Sequence, residues 1–285
     1  MRLTKLSICF VCIFLGFFIP LLINNYTENY AHVTEKQYSH HIEAACEAAM
    51  LTASSSNKSL WASLPTRLKA TDTFFVTLNS AMNRRGDYAI ETKLYVPVIC
   101  FVDYDGFYIC YNAGLDDNAT TDDSVYDINE HTPIQQWTET TTNYTIRYYL
   151  TDQIMVTHNN TGVSCKGSPS DVYNKFNDIE LTFLLSSEIE SRKNIKIIDT
   201  IKNTLEYYIN TQNNYADPYF TQYNIDMSYS EGNEWARMLK NPCIISFIQG
   251  KQPKVRNTEI INIYGFSGHE LITAPIKDTE NNTVR

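Results

Sequence analysis

LSICFVCIFLGFFIPLLI, residues 6–23, runs almost directly into TENYAHVTEKQYSHHIEAACEAAMLTA, residues 27–53, and these two stretches decide how the chain is organised. The first is unbroken by charge and, at 1.5 Å per residue, about 27 Å long as a helix, enough to cross a hydrocarbon core. Arg2 and Lys5 precede it, so the positive-inside rule leaves residues 1–5 in the cytoplasm and the remainder outside. A cleaved secretory signal is the alternative, but Asn24-Asn25-Tyr26-Thr27-Glu28 offers no small-residue cleavage site. The second stretch has neither proline nor glycine. Its apolar residues Tyr30, Val33, Tyr38, Ile42, Ala45 and Ala49 recur at helical spacing, and its alanine-rich end favours helix. One long helix is expected, half in lipid and half under a soluble domain. A membrane anchor followed by a separate short helix is the alternative.

The expected organisation is therefore a cytoplasmic stub (1–5), a transmembrane helix (6–23), a juxtamembrane helix (24–58), an extracytoplasmic α+β domain (59–275) and a polar tail (276–285). The localisation is the cell membrane, with a single pass. Of 285 residues, 23 are basic and 32 acidic; with Arg2 and Lys5 inside, the outer part carries 21 against 32, a balance of −11. That charge excludes nucleic acid and anionic bilayer surfaces as partners of the head. Five of the seven cysteines (Cys46, Cys100, Cys110, Cys165 and Cys243) fall outside the span, without zinc spacing.

The head reads as interleaved helices and strands without regular βα alternation, hence α+β with a mixed, mainly antiparallel sheet. Ser63 and Pro65 open a helix whose apolar face is Leu68, Phe74, Phe75, Leu78 and Met82. In KLYVPVICFVDYDGFYICYN (93–112), two apolar runs flank Tyr104-Asp105-Gly106, which suggests a hairpin with a three-residue loop and Gly106 in the left-handed position. Asp105 suits the turn and Asp103 caps it. That register sets 103 opposite 107, so Cys100 faces Cys110, either as a disulfide or as two buried thiols. The acidic loop 112–130 lacks a calcium-loop pattern and reads as solvated. Strands are expected over 142–150 and 153–158, helices over 172–189 and about 195–209, and strands again over 243–249, 259–264 and 269–273. Gly265-Phe266-Ser267-Gly268-His269 reads as a turn between the last two, since a nucleophile elbow needs glycine where His269 stands.

No catalytic set, metal site or cofactor fingerprint emerges from spacing, and a non-catalytic role is expected. Gly16, Ala45, Ala48 and Ala49 are the candidates for close packing against a partner helix.

Two resemblances bear on function. A short basic start, an apolar helix and the continuation IEAACEAAMLTA bearing an α+β head resemble the pseudopilin-like (TadE-type) proteins of low-GC Gram-positive bacteria, over about the first fifty residues. This implies a component of a pilus, secretion or conjugation assembly, with lipid and other membrane or assembly proteins as partners. Pilins carry a glutamate five residues into the apolar run, and none stands here, so no family site residue is carried over. VPVICFVDYDGFYI after an anchor and long helix is similar to extracytoplasmic Cache or PAS-like domains, over roughly 27–112. That resemblance implies ligand sensing through a membrane partner.

Overall fold

The structure, a computed structural model, describes residues 2–53, 59–83, 95–112, 129–216, 237–250 and 263–270. The stretch 84–94, most of the acidic loop, the region around Trp235 and the C-terminal tail lie outside the described residues.

A single helix, α1, spans Arg2–Met50, 49 residues and about 74 Å at helical rise. Its C-terminal part buries Ile42, Ala45, Cys46, Ala49 and Met50 against the head, where it packs on a second helix and two strands. Towards the other end Val11, Ile13, Phe14, Leu15, Phe18, Ile19, Leu21 and Leu22 are all exposed. Among the described residues no helix is long and apolar enough to cross a membrane; side chains are described for nine of the eighteen residues of the 6–23 run.

Helix α2 (Leu64–Ala81) begins at the N-cap Ser63, with proline in its first turn. Its buried stripe is Arg67, Ala70, Thr71, Phe74, Phe75 and Leu78, while Leu68, expected on the apolar face, is 44% exposed. The hairpin follows as β1 (Val98–Asp103) and β2 (Gly106–Asn112). β1 is buried at every position because it lies in the middle of a five-stranded sheet with both faces covered, which explains its continuous apolar sequence. With β3 (Asn129–His131), β8 (Cys243–Gly250) and β9 (Ile263–Glu270), the order is β3-β2-β1-β8-β9, every pair antiparallel.

A second, four-stranded meander comprises β4 (Thr138–Thr140), β5 (Tyr144–Tyr148), β6 (Ile154–His158) and β7 (Ser164–Gly167). Alternation orients it: Tyr144, Ile146, Tyr148, Ile154 and Val156 face a core continuous with that of the first sheet. Helix α3 (Pro169–Phe176), a 3₁₀ turn (Ile179–Leu185) and helix α4 (Ile189–Ala216) complete the described fold. α4 buries Ile197, Ile198, Ile201, Leu205 and Ile209.

Four expectations need correction. The hairpin turn has two residues, not three: Asp103 pairs with Gly106, and Cys100 therefore lies opposite Ile109. Cys100 and Cys110 point to opposite faces of the sheet, and both are free thiols. Gly106 is the first residue of β2, at φ 155°; its missing Cβ admits the Gln135 carbonyl, which a Cβ would meet at 2.2 Å. The backbone pair Phe107–Gln135 (2.9 and 2.8 Å) depends on that approach.

The Gly-rich stretch 265–269 is not a turn. Residues 263–270 form one strand paired along the length of β8. At Gly268 a Cβ would sit 2.8 Å from the Ile244 carbonyl and 2.9 Å from the Met238 thioether, so glycine serves close packing there. The helix expected over 172–189 is split, because Asn177 takes a left-handed conformation (φ 48°) and caps α3.

Candidate functional site

Strand alternation puts Phe101 and Asp103 of β1, Tyr108 and Cys110 of β2, and His131 of β3 on one face of the larger sheet. α2 covers this face: the Arg67 guanidinium stacks over the Tyr108 ring at 4.0 Å, and the Thr71 hydroxyl lies 3.9 Å from Cys110 Sγ. α4 is on the opposite face, where Tyr208 meets Tyr111 with ring centroids 4.8 Å apart.

Asp103 organises the near end. It is fully buried, and its two oxygens accept four hydrogen bonds. Oδ1 takes the Leu60 N–H (3.2 Å) and the Tyr104 N–H (2.8 Å). Oδ2 takes the Ser59 hydroxyl (2.6 Å) and the Trp61 N–H (2.7 Å). One carboxylate thus closes the hairpin and ties the segment before α2 to the sheet. Arg67 Nη1 donates to the carbonyls of Trp61 and, at 3.1 Å, Ala62. The Trp61 backbone therefore stands between the buried acid and the buried base, its N–H on Asp103 and its carbonyl on Arg67, and the two make no direct contact within 4.0 Å among the described residues.

Beyond this link the cluster turns donor-rich. Trp61 is fully buried, with its ring 5.0 Å from Phe101, and its indole Nε1 has no partner among the described residues. Arg67 is 6% exposed, and its Nε has none among them either. The half-buried His131 ring, 5.9 Å from Phe101, leaves both nitrogens unpaired. Each buried polar group left without a partner costs about 1–3 kcal/mol, and among the described residues three side chains on this sheet face incur that cost. Burial and the Arg67 charge together hold His131 down to about 4, so it is neutral at physiological pH. Burial lowers the Arg67 guanidinium from its ordinary value, and Tyr108 opposes that shift; the Tyr108 phenol is itself raised by burial.

A second polar cluster is a clamp. Glu139 on β4 receives both Arg192 of α4 and the Tyr148 hydroxyl (2.7 Å), and the Arg192 hydrogen bond holds its carboxyl below the usual range. Every member is partnered, so it reads as structural.

Of the residues singled out from the sequence, Asp103 belongs to this site and Gly106 lies beside it. Asp105 sits in the turn, where its carboxylate is 3.6 Å from Arg147. Ala45 and Ala49 do permit close helix packing, but the surface they meet is this chain's own core, with no exposed area left for a partner. Ala48 is partly exposed, and Gly16 has nothing within 4 Å of where a Cβ would stand.

Trp61, Arg67 and His131 were not anticipated. One signal was available for Arg67. With Thr71 it continues the Phe74, Phe75 and Leu78 stripe backwards at spacings of three and four, placing a lone cation on a buried helix face. His131 carries no such signal, because it is paired to β2 by a connection outside the described residues. Among the described residues no three His, Cys, Asp or Glu side chains group as a metal site. Set against known protein families, characterised proteins and solved structures, the chain matches none.

Proposed function

We propose that this is a single-pass membrane-anchored protein whose α1 carries an α+β head outside the cell. There it acts non-catalytically as a pseudopilin-like component of a pilus, secretion or conjugation assembly. The observation that supports this reading is the division of labour along one uninterrupted helix. The C-terminal part is keyed into the sheet by Ile42, Ala45, Cys46 and Ala49, while the N-terminal part displays exposed Phe14, Leu15, Phe18, Leu21 and Leu22. A row of large apolar side chains at 45–66% exposure needs lipid or another apolar helix around it. Anchor and head are then one rigid lever, the form suited to packing sideways in a membrane-embedded assembly.

The test is extraction and protease access on native membranes. The protein should resist alkaline carbonate, and protease added outside should digest the head in intact cells. Release by carbonate, or a protected head, refutes the proposed topology. Intact mass and N-terminal sequence then separate a processed pilin-like subunit from a permanent anchor.

A further inference from the structure

We infer that the face formed by Trp61, Arg67 and His131 is a binding site for the carboxylate group of a small organic acid. The inference is independent of the assembly role and concerns the head alone.

The class of ligand follows from what the patch lacks. The indole N–H of Trp61 and the Nε–H of Arg67 are buried and without acceptors among the described residues, on side chains 0% and 6% exposed. His131, neutral and with its ring centroid 5.9 Å from that of Phe101, adds one more buried ring N–H. Of the two carboxylates that act on this cluster among the described residues, Asp103 is fully engaged by four donors from residues 59, 60, 61 and 104, and Asp105 is turned to Arg147, 3.6 Å away, so that neither serves these donors. A buried cation is therefore left with carbonyl oxygens and a tyrosine ring as its neighbours. What is missing is an acceptor with negative charge.

The shape of the guanidinium narrows the choice. Nη1 is occupied by the Trp61 and Ala62 carbonyls, which fixes the plane of the group and leaves the Nε edge facing away from them. That edge is the one that pairs with both oxygens of a planar carboxylate. The rings of Trp61, Phe101 and His131 flank the patch, with Phe101 within 6 Å of each of the other two. Flat aromatic walls suit a flat acid group better than a tetrahedral anion. His131 stands in β3, the last strand of the described sheet order on that side, and is the one of the three side chains that is not almost wholly buried.

The experiment uses the full-length chain, ¹⁵N-labelled in detergent micelles, and follows the indole N–H resonances of its three tryptophans, with Trp61→Phe to assign Trp61. Sodium acetate is titrated at constant ionic strength against sodium chloride, with acetamide as the uncharged analogue. Acetate should move the Trp61 indole resonance saturably, and neither chloride nor acetamide should. Arg67→Lys keeps the charge but not the fork, and should weaken acetate about tenfold. His131→Phe keeps the ring packing and should weaken it by a smaller factor without lowering the melting temperature in the absence of acetate at neutral pH. No movement of the Trp61 resonance, or equal movement with acetamide or chloride, overturns the inference and leaves water as the partner of these donors. An acetate affinity unchanged in both folded variants overturns it as well.

Discussion

Replacing Asp103 by asparagine removes a charge and one acceptor while keeping size and shape, which makes it a sharp test of how the head is held together. Both carboxylate oxygens are saturated, and three of the four donors are backbone N–H groups, of Leu60, Trp61 and Tyr104. An amide has one acceptor oxygen. If it serves Trp61 and Ser59, its NH₂ faces the N–H groups of Leu60 and Tyr104; turned over, it faces Trp61. Only the Ser59 hydroxyl can rotate to accept, so at least one buried backbone N–H loses its partner in either orientation. Hydrogen bonds to a charged acceptor contribute about 1.5–3 kcal/mol each and an orphaned buried donor costs about 1–3 kcal/mol. The expected loss is thus about 3 kcal/mol. For a domain of this size that lowers the melting temperature by about 6–12 °C. Urea unfolding in micelles, followed by tryptophan fluorescence, measures it. Asp103→Ala should lose at least as much, and Ser59→Ala, which removes only the 2.6 Å contact, about 1 kcal/mol. A stability of Asp103→Asn within about 0.5 kcal/mol of the parent would refute the view that this carboxylate joins the hairpin to the segment before α2.

Other perturbations separate the remaining elements. Gly106→Ala places a methyl group 2.2 Å from the Gln135 carbonyl and should cost about 3 kcal/mol by splitting the Phe107–Gln135 pair, read by loss of amide-exchange protection at Phe107. His131 lies at about 4 against an ordinary 6.5, so the unfolded chain takes up a proton first as the pH falls; stability is lost between about 6.5 and about 4 and levels off below. The interval sets a ceiling of about 3 kcal/mol, discounted to roughly 1–2 kcal/mol for a half-buried ring, and His131→Phe should remove that part of the acid sensitivity in melting curves from pH 7 to 4. Ala45→Leu overfills the junction of α1 with the head and should destabilise it by about 1–3 kcal/mol. Gly16→Leu, on the exposed part of α1, should leave head stability unchanged and weaken retention of a membrane partner; equal effects of the two changes on both readouts would break the division proposed for α1. Non-reducing electrophoresis should show no Cys100–Cys110 link even after oxidation, since their side chains leave opposite faces of the sheet.

The sequence by itself determined what periodicity and composition govern. The helix over 27–50 follows from a stretch without proline or glycine, whereas Pro20 sits inside α1 without ending it; the apolar spacing over Ile195, Ile198, Ile201, Leu205 and Ile209 marks the buried face of α4 in all but Ile195, which is 43% exposed. The alternation of Tyr144, Ile146 and Tyr148 likewise marks β5 as half-buried. These are local signals, each set by one element's own repeat. Tertiary structure decided what depends on a second element's approach. A two-residue or three-residue turn before Gly106 fits the same letters; the Gln135 carbonyl and the Asp103 cap select the shorter one, and with it the face of every residue in β2. Glycines 265 and 268 look like a turn until pairing with β8 makes the stretch a strand, and at Gly268 the Ile244 carbonyl and Met238 claim the space a side chain would fill. The donor patch was hidden for the same reason. Trp61, Arg67 and His131 are 70 residues apart at the extremes, and they meet because α2, the hairpin and β3 share one sheet face. Spacing along a chain encodes periodicity within an element, whereas convergence between elements depends on register and packing, which no single repeat records.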